Sequence, residues 1–374
     1  MEIPMDIGNI SKIAILALNN NKLTGTIPLS VQKLEKLETL QLEENLLIGE
    51  IPDWNSTQKT LQILDLSKNQ LEGMLPQWLA EMDISFIMLS DNNLTCSLPP
   101  RKVPESITNI YGLMLLDLSN NKFSSNTLPD FSSNVNLQII DFSSNEFSGE
   151  IPTSFSHLIR ILSLGKNKFF GRLSRNLTNM STLKHLDIHD NKIIGELLDI
   201  CQISTLKILN LRNNSLQGSI PDCISNLTSL QILDLSSNHL VGEITVKFGN
   251  LAGMISIETP GGFSYFSAIL IPTLAIQTKI NDVIVNWKKS KQGLSWNNLK
   301  IYSLLDLSMN QISEDLPPTK PPEVKSKETW FSWEGVGIGY AIGFFVAVGI
   351  LYISGYFVPA KPPNYRRQQR RQRI

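Results

Sequence analysis

Leu61–Pro76 reads LQILDLSKNQLEGMLP, and much of the chain is written in variations on it. The stretch reduces to L-x-x-L-x-L-x-x-N-x-L-x-G-x-[IL]-P, a short alternating run, an Asn, a turn and a Pro-marked return. Its Asn recurs at Asn21, Asn45, Asn69, Asn92, Asn121, Asn145, Asn167, Asn191, Asn214, Asn238 and Asn310. Successive spacings are 22 to 29 residues until a last gap of 72.

A period of this length with this pattern is that of leucine-rich repeats. In each copy alternate leucines such as Leu64 and Leu66 face one way, and Asp65 and Ser67 the other. One coil cannot bury its own leucines, so coils stack into a solenoid with a continuous core. The Asn has an acceptor and two donors for neighbouring backbone, and loss of a buried partner of this kind costs ~1–3 kcal/mol. The Asn column is therefore read as structural. The expected fold class is an α/β leucine-rich-repeat solenoid, with a parallel β-sheet on its concave face, an insert and one transmembrane helix.

The 374 residues are 42% apolar and 18% charged, with a formal net charge of −1. The last 16 residues carry six Lys and Arg and no acid, so the rest of the chain is mildly acidic. That balance argues against nucleic-acid binding along the body. Repeats occupy residues 1–245, an aromatic-rich insert 246–300, a further repeat 301–317 and a Pro/Lys/Glu linker 318–335. Residues 336–358 lack charge and would span roughly 34 Å as a helix, enough for a bilayer core of about 30 Å. Residues 359–374 form a basic tail, which places the C-terminus in the cytosol and the repeats outside. From the last linker residue into the span, Gly335, Gly339, Gly343 and Ala347 recur every four residues, either a helix-packing stripe or ordinary glycine abundance in such helices. Glu2–Ile13 reads as the second half of a coil, with no signal peptide or polar cap before it. The chain is thus expected to be a fragment lacking its front.

Seven N-x-[ST] sequons, at Asn9, Asn55, Asn93, Asn176, Asn179, Asn213 and Asn226, favour the secretory route and a glycosylated outer face. Cys201 and Cys223 fall on the return segments of consecutive coils, within disulfide reach, although two separate buried thiols fit the spacing as well. Cys96 replaces a repeat glycine and is left over. No metal-ligand spacing appears and no cofactor is expected. His157, His185, His189 and His239 belong to no nucleophile or metal motif, and no phosphate-cradling loop or kinase motif set is present. The expected activity is binding, not catalysis.

Solenoids of this type bind through exposed positions of the concave strands. Five of the eleven coils carry an unremarkable Asp-x-Ser there. Three consecutive coils depart from it, with Ser163, Gly165 and Lys166, then Asp187, His189 and Asp190, then Asn210 and Arg212. This mixed-charge patch is either a ligand contact or a solvated sheet face.

The Gly-x-Ile-Pro endings at Gly25–Pro28, Gly49–Pro52 and Gly218–Pro221 resemble those of plant extracellular leucine-rich repeats. The insert containing VIVNWKKSKQGLS, the returning coil YSLLDLSMNQIS, the span and the short basic tail together resemble plant leucine-rich-repeat receptor-like proteins. That resemblance implies a kinase-less, single-pass receptor at the plasma membrane, in defence or development. It would bind an extracellular peptide or protein ligand and signal through a transmembrane receptor kinase. It also implies a ligand role for the insert, here Trp287, beside Lys166, Asp187, His189, Asp190, Asn210 and Arg212. The alternatives are a truncated or decoy product of such a receptor, or an inhibitor of a secreted enzyme, which the span opposes.

Overall fold

The computed structural model describes residues 1–54, 60–96, 103–152, 155–174, 177, 179–197, 200–244, 246–255, 283–287, 290–294 and 303–312. Residues 1–315 make one compact unit; the second, 316–374, lies outside the described residues. The span 336–358 and the small residues Gly335, Gly339, Gly343 and Ala347 therefore lie outside them too. Among the described residues no helix is long and apolar enough to cross a membrane.

Eleven three-residue strands pair in parallel and in chain order, from Ile15–Ala17 to Leu304–Asp306. Their register aligns Leu40, Leu64, Ile87, Leu116 and Ile140, and then Leu162, Leu186, Leu209 and Leu233, in one inward column, each fully buried. The coil around Leu304–Asp306 pairs directly with Ile232–Asp234, so the stack resumes in register after the insert. Within the insert Val283–Trp287 and Ser290–Leu294 form an antiparallel hairpin. The helical parts of the repeats are mostly short 3-10 turns. Several start after a proline held extended (Pro28, Pro76 and Pro221, φ −65°, −69° and −70°), a residue whose ring fixes that φ.

The Asn column binds coil to coil. Asn69 Oδ1 accepts from Leu47 N at 3.0 Å, while Nδ2 donates to Leu42 O of the preceding coil at 3.0 Å and to Leu66 O of its own at 3.2 Å. The same arrangement recurs from Asn45 to Asn310. Asn21 bonds only carbonyls of its own coil, Leu18 O and Asn19 O. The residue before each ladder Asn has positive φ in all eleven coils, 52–58°, although none is glycine. A left-handed L-residue costs roughly 1–2 kcal/mol, so the ladder bonds hold the strand end in a conformation it would otherwise avoid.

A second layer of strands runs along the side of the solenoid, which the sequence pattern did not announce. It comprises three strands, from Ile48–Glu50 to Asn93–Thr95, and six, from Ser148–Glu150 to Gln311–Ile312. The repeat glycine sits within these strands at positive φ, as at Gly149 (φ 89°), where an added Cβ would also overlap the Asn126 carbonyl. Two consecutive coils lack it, with Cys96 and Ser125 in its place, and there the side layer is interrupted, reduced to a single bridge between Thr95 and Lys122. There the interior turns aromatic: Phe123, Phe147 and Phe169 replace the usual aliphatic residue and stack with centroids 6.2 and 6.3 Å apart.

Asn69→Ala should remove coil-bridging bonds and cost about 2–3 kcal/mol, the upper part of the range for stranded buried groups, since several groups lose their partner at once. Asn21→Ala should cost under about 1 kcal/mol, since exposed groups exchange protein for water partners. Urea titrations of the two variants against the parent check the contrast.

Candidate functional site

The concave face is less solvated than the alternation of polar and apolar residues suggests. Asp65, Asp141 and Asp234 are buried, and Asp234 is fully so. Alongside them runs a second apolar strip: Ile63, Phe86, Met88, Leu115, Ile139 and Ile161 pack on one another outside the main core. Every Asp-x-Ser coil closes the same small loop. Asp65 Oδ1, for instance, accepts from Ser67 N at 3.0 Å and Ser67 Oγ at 2.7 Å.

The three irregular coils rewire that loop. In the strand His185–Asp187 and the turn after it, His189 stands where the serine would be. Its Nδ1 donates to Asp187 Oδ1 at 2.6 Å in place of a hydroxyl. The ring lies over Gly165 of the preceding coil, where a Cβ would overlap it. Gly165 is therefore the complement of His189. From the following coil Asn210 Nδ2 donates to Asp187 Oδ2 at 3.2 Å. Arg212 Nη2 reaches back to Asp190 Oδ2 at 3.2 Å, and Asn213 Nδ2 reaches Asp190 Oδ1 at 2.8 Å.

Five of the residues expected from sequence thus form one network: Asp187, His189, Asp190, Asn210 and Arg212. Lys166 sits beside it, half-buried at positive φ, with no ion pair among the described residues. Trp287 ends a strand of the insert, and its side chain lies outside the described structure. Sequence reasoning passed over Gly165 as a contact, Asn213 as a hydrogen-bond donor and Asp234 as a buried neighbour. A serine missing at Gly165 exactly one coil before a histidine was the available signal for the first.

Burial by itself would raise Asp187, but the charge and hydrogen bond of His189 outweigh it and hold the carboxyl down at about 2. Burial would likewise lower His189, and the Asp187 carboxylate more than reverses that, so its pKa is raised. His185 stands in the apolar column, and burial pushes it down to about 4. Around Asp65 and Asp141 no cation compensates the desolvation, and both rise to about 7. Asp117 and Asp234 shift the same way, again chiefly through burial.

Cys201 and Cys223 are joined as a disulfide with Cα atoms 5.7 Å apart. Cys96 is not in a disulfide. Among the described residues no group of His, Cys, Asp and Glu is arranged to hold a metal. The sequon residues Asn9, Asn179 and Asn226 share one coil position and are exposed, and Asn93 is half-buried in a side strand. Asn55 and Asn176 lie outside the described residues.

These coils are leucine-rich repeats: models of that repeat match residues 60–82, 112–134, 136–158 and 202–240. Over 168 residues the chain is 43% identical to Receptor-like protein 46 of Arabidopsis thaliana, a match spanning 42% of this chain and 21% of that protein. Its structure resembles the ectodomain of the Arabidopsis receptor kinase HAESA in complex with an N-terminally extended IDA peptide hormone, with TM-score 0.58 and 30% identity, over 66% of this chain and 46% of that one. It also resembles the plant peptide hormone receptor RGFR1 in complex with RGF2, with TM-score 0.52 and 26% identity, over 68% of this chain and 48% of that one. The chain thus spans about half of these receptors and a fifth of the curated relative. A leucine-rich-repeat protein of Leptospira interrogans matches comparably, with TM-score 0.57 and 25% identity, over 68% of this chain and 62% of that one, so the fold by itself does not define the role.

Gly165→Ser should cost about 1–3 kcal/mol by overpacking against His189. The pair Gly165→Ser with His189→Ser restores the regular pattern and should recover most of that loss in a double-mutant cycle by urea unfolding. A pH series checks the buried carboxylates. With pKa values near 7 folded and 3.8 ordinarily, Asp65 and Asp141 bind more protons in the folded chain, so stability should fall as pH rises from about 4 to 7. The raised His189 acts in the same direction, its contribution being lost as pH rises through its folded pKa. His185, lowered from 6.5 to about 4, opposes them. Tm should therefore be higher at pH 5 than at pH 8, and Asp65→Asn with Asp141→Asn should flatten the difference.

Proposed function

We propose that this chain is the repeat-bearing part of a kinase-less receptor-like protein that binds an extracellular peptide on its concave face. The observation that carries this reading is the rewired patch of three consecutive coils, at the surface such solenoids use for recognition. The similarity to peptide-bound plant receptor ectodomains supports the same ligand class. In this proposal residues 336–358 cross the plasma membrane once, with the repeats outside and the basic tail in the cytosol. Signalling passes through a partner receptor kinase, with the stripe Gly335, Gly339, Gly343 and Ala347 as the helix-packing contact. The chain itself performs no chemistry.

Glycans would then decorate the face away from the patch. Asn9, Asn179 and Asn226 project from exposed ends of 3-10 segments, whereas a glycan on Asn213 would stand at the margin of the patch. Glycopeptide mass spectrometry on the chain expressed in plant cells should find the first three occupied and Asn213 bare. If glycosidase treatment leaves the mass unchanged, the receptor topology is wrong. Binding is tested separately, by retention of a randomised peptide library on the immobilised full chain. Arg212→Ala should reduce retention by at least roughly tenfold, as expected for a central interface arginine. Unchanged retention would remove the patch from the binding surface.

A further inference from the structure

The residue immediately before each concave strand belongs to a second column, bonded backbone to backbone along the solenoid. Arg160 N donates to Gln138 O, Lys184 N to Arg160 O, Lys207 N to Lys184 O and Gln231 N to Lys207 O, each at 2.8 Å. Three consecutive members are therefore cations, stacked at the strand spacing of about 4.8 Å. Arg160, Lys184 and Lys207 are all half-buried. No other described coil has a cation at this position. The row stands at the start of the same coils whose strand ends carry Ser163 to Lys166, the Asp187–His189 pair and Arg212.

The fold does not require charge there, because Gln138 and Gln231 hold the equivalent places in the adjoining coils. Stacking like charges has a cost. Burial lowers the pKa of Lys184, and the charges of Arg160 and Lys207 on either side lower it further. The acids of the neighbouring network are committed elsewhere, Asp187 to His189 at 2.6 Å and Asp190 to Arg212 at 3.2 Å. An anionic group is what such a row favours: a guanidinium grips a carboxylate with two parallel N–H bonds, and an ammonium meets it as a compact charge. The row extends over two intercoil steps, about 10 Å, which is longer than one carboxylate. An extended peptide repeats side chains on one face every ~6.8 Å. Two acidic side chains at alternate positions therefore reach all three cations when the peptide runs along the solenoid axis.

We propose that Arg160, Lys184 and Lys207 form a subsite for an acidic segment of the peptide ligand, read through Asp or Glu side chains at alternate positions. Arg160 takes one carboxylate, Lys207 the other, and Lys184 is shared between them. The proposal rests on the concave face being the ligand face, and it adds the charge of the segment bound there and its direction along the solenoid.

The test reads each lysine separately. The purified full chain is briefly acetylated with limiting acetic anhydride at about pH 8, and the rate at each lysine is followed by peptide mass spectrometry. The probes are a capped five-residue peptide alternating Ala with Glu, and its counterpart with Gln in place of Glu. At saturation the Glu peptide should slow acetylation of Lys184 and Lys207 about tenfold, the loss of free amine when a neighbouring carboxylate raises an amine's pKa by about one. Lys192, on the side layer, should react at the same rate throughout, and the Gln peptide should protect none of the three. Arg160→Gln puts at this position the residue that both adjoining coils have, and a thermal melt verifies its fold; it should need roughly tenfold more Glu peptide for the same protection. No protection of Lys184 by the Glu peptide, equal protection by the Gln peptide, or an unchanged requirement in folded Arg160→Gln would overturn the proposal. If it fails in this way while Arg212→Ala still reduces retention of the peptide library, the acidic subsite is wrong and the receptor reading stands.

Discussion

The bond from one coil's asparagine amide to the preceding coil's backbone is the constraint on which the rest depends. Apolar burial alone makes coils adhere, yet it does not say how one leucine-lined turn should sit on another. The amide does, because its oxygen takes the N–H that enters one coil while its nitrogen meets carbonyls of two. Those groups are buried where the strand bends away and cannot use the sheet ladder. Any slip by one residue would strand them all. The eleven left-handed residues ahead of the asparagines are the local cost of bringing the amide to that place.

With the register fixed, the concave face becomes a lattice in which each position along the strand has neighbours at the same position in the coils before and after. A change in one coil must therefore be answered in the next. His189 requires Gly165 before it, Asp187 draws Asn210 from after it, and Asp190 draws Arg212 and Asn213. In the regular coils the aspartates are met by serine hydroxyls and backbone N–H groups, and burial raises their pKa. The irregular patch carries ionised partners on a floor where the regular coils do not. That contrast in electrostatics separates it from its surroundings more sharply than its composition does.

Most of the architecture was legible in the sequence because a repeat multiplies weak signals: one Leu-x-Leu-x-x-Asn says little, and eleven in step define strand, turn and inward face. The side strands were not legible, since most of them hold a glycine whose positive φ appears only in three dimensions, and the alternation in them is two to five residues long. Burial of Asp65 and Asp234 was also hidden. Polar letters alternating with leucines read as a solvated face, whereas side chains on closely stacked parallel strands shield one another. At the patch, the residue types named the region, but the pairing Gly165 with His189 and Asp190 with Arg212 required knowing that positions 24 and 22 residues apart are adjacent.

The same lattice bears on how such a face evolves specificity. A ligand group meeting this floor replaces hydrogen bonds that neighbouring coils otherwise make with each other, so selectivity rests on which donors and acceptors the coils leave unmatched. Asp-x-Ser coils largely satisfy themselves, although at Asp234, next to the altered coil, one buried oxygen has no hydrogen-bond partner among the described residues. Altering a single position, as at Arg212, commits part of a guanidinium to the preceding coil and buries its Nε without a partner among the described residues. Recognition can thus be adjusted one coil at a time. The inward leucines and the asparagine ladder are unaffected, because side chains on opposite faces of a strand share no partners.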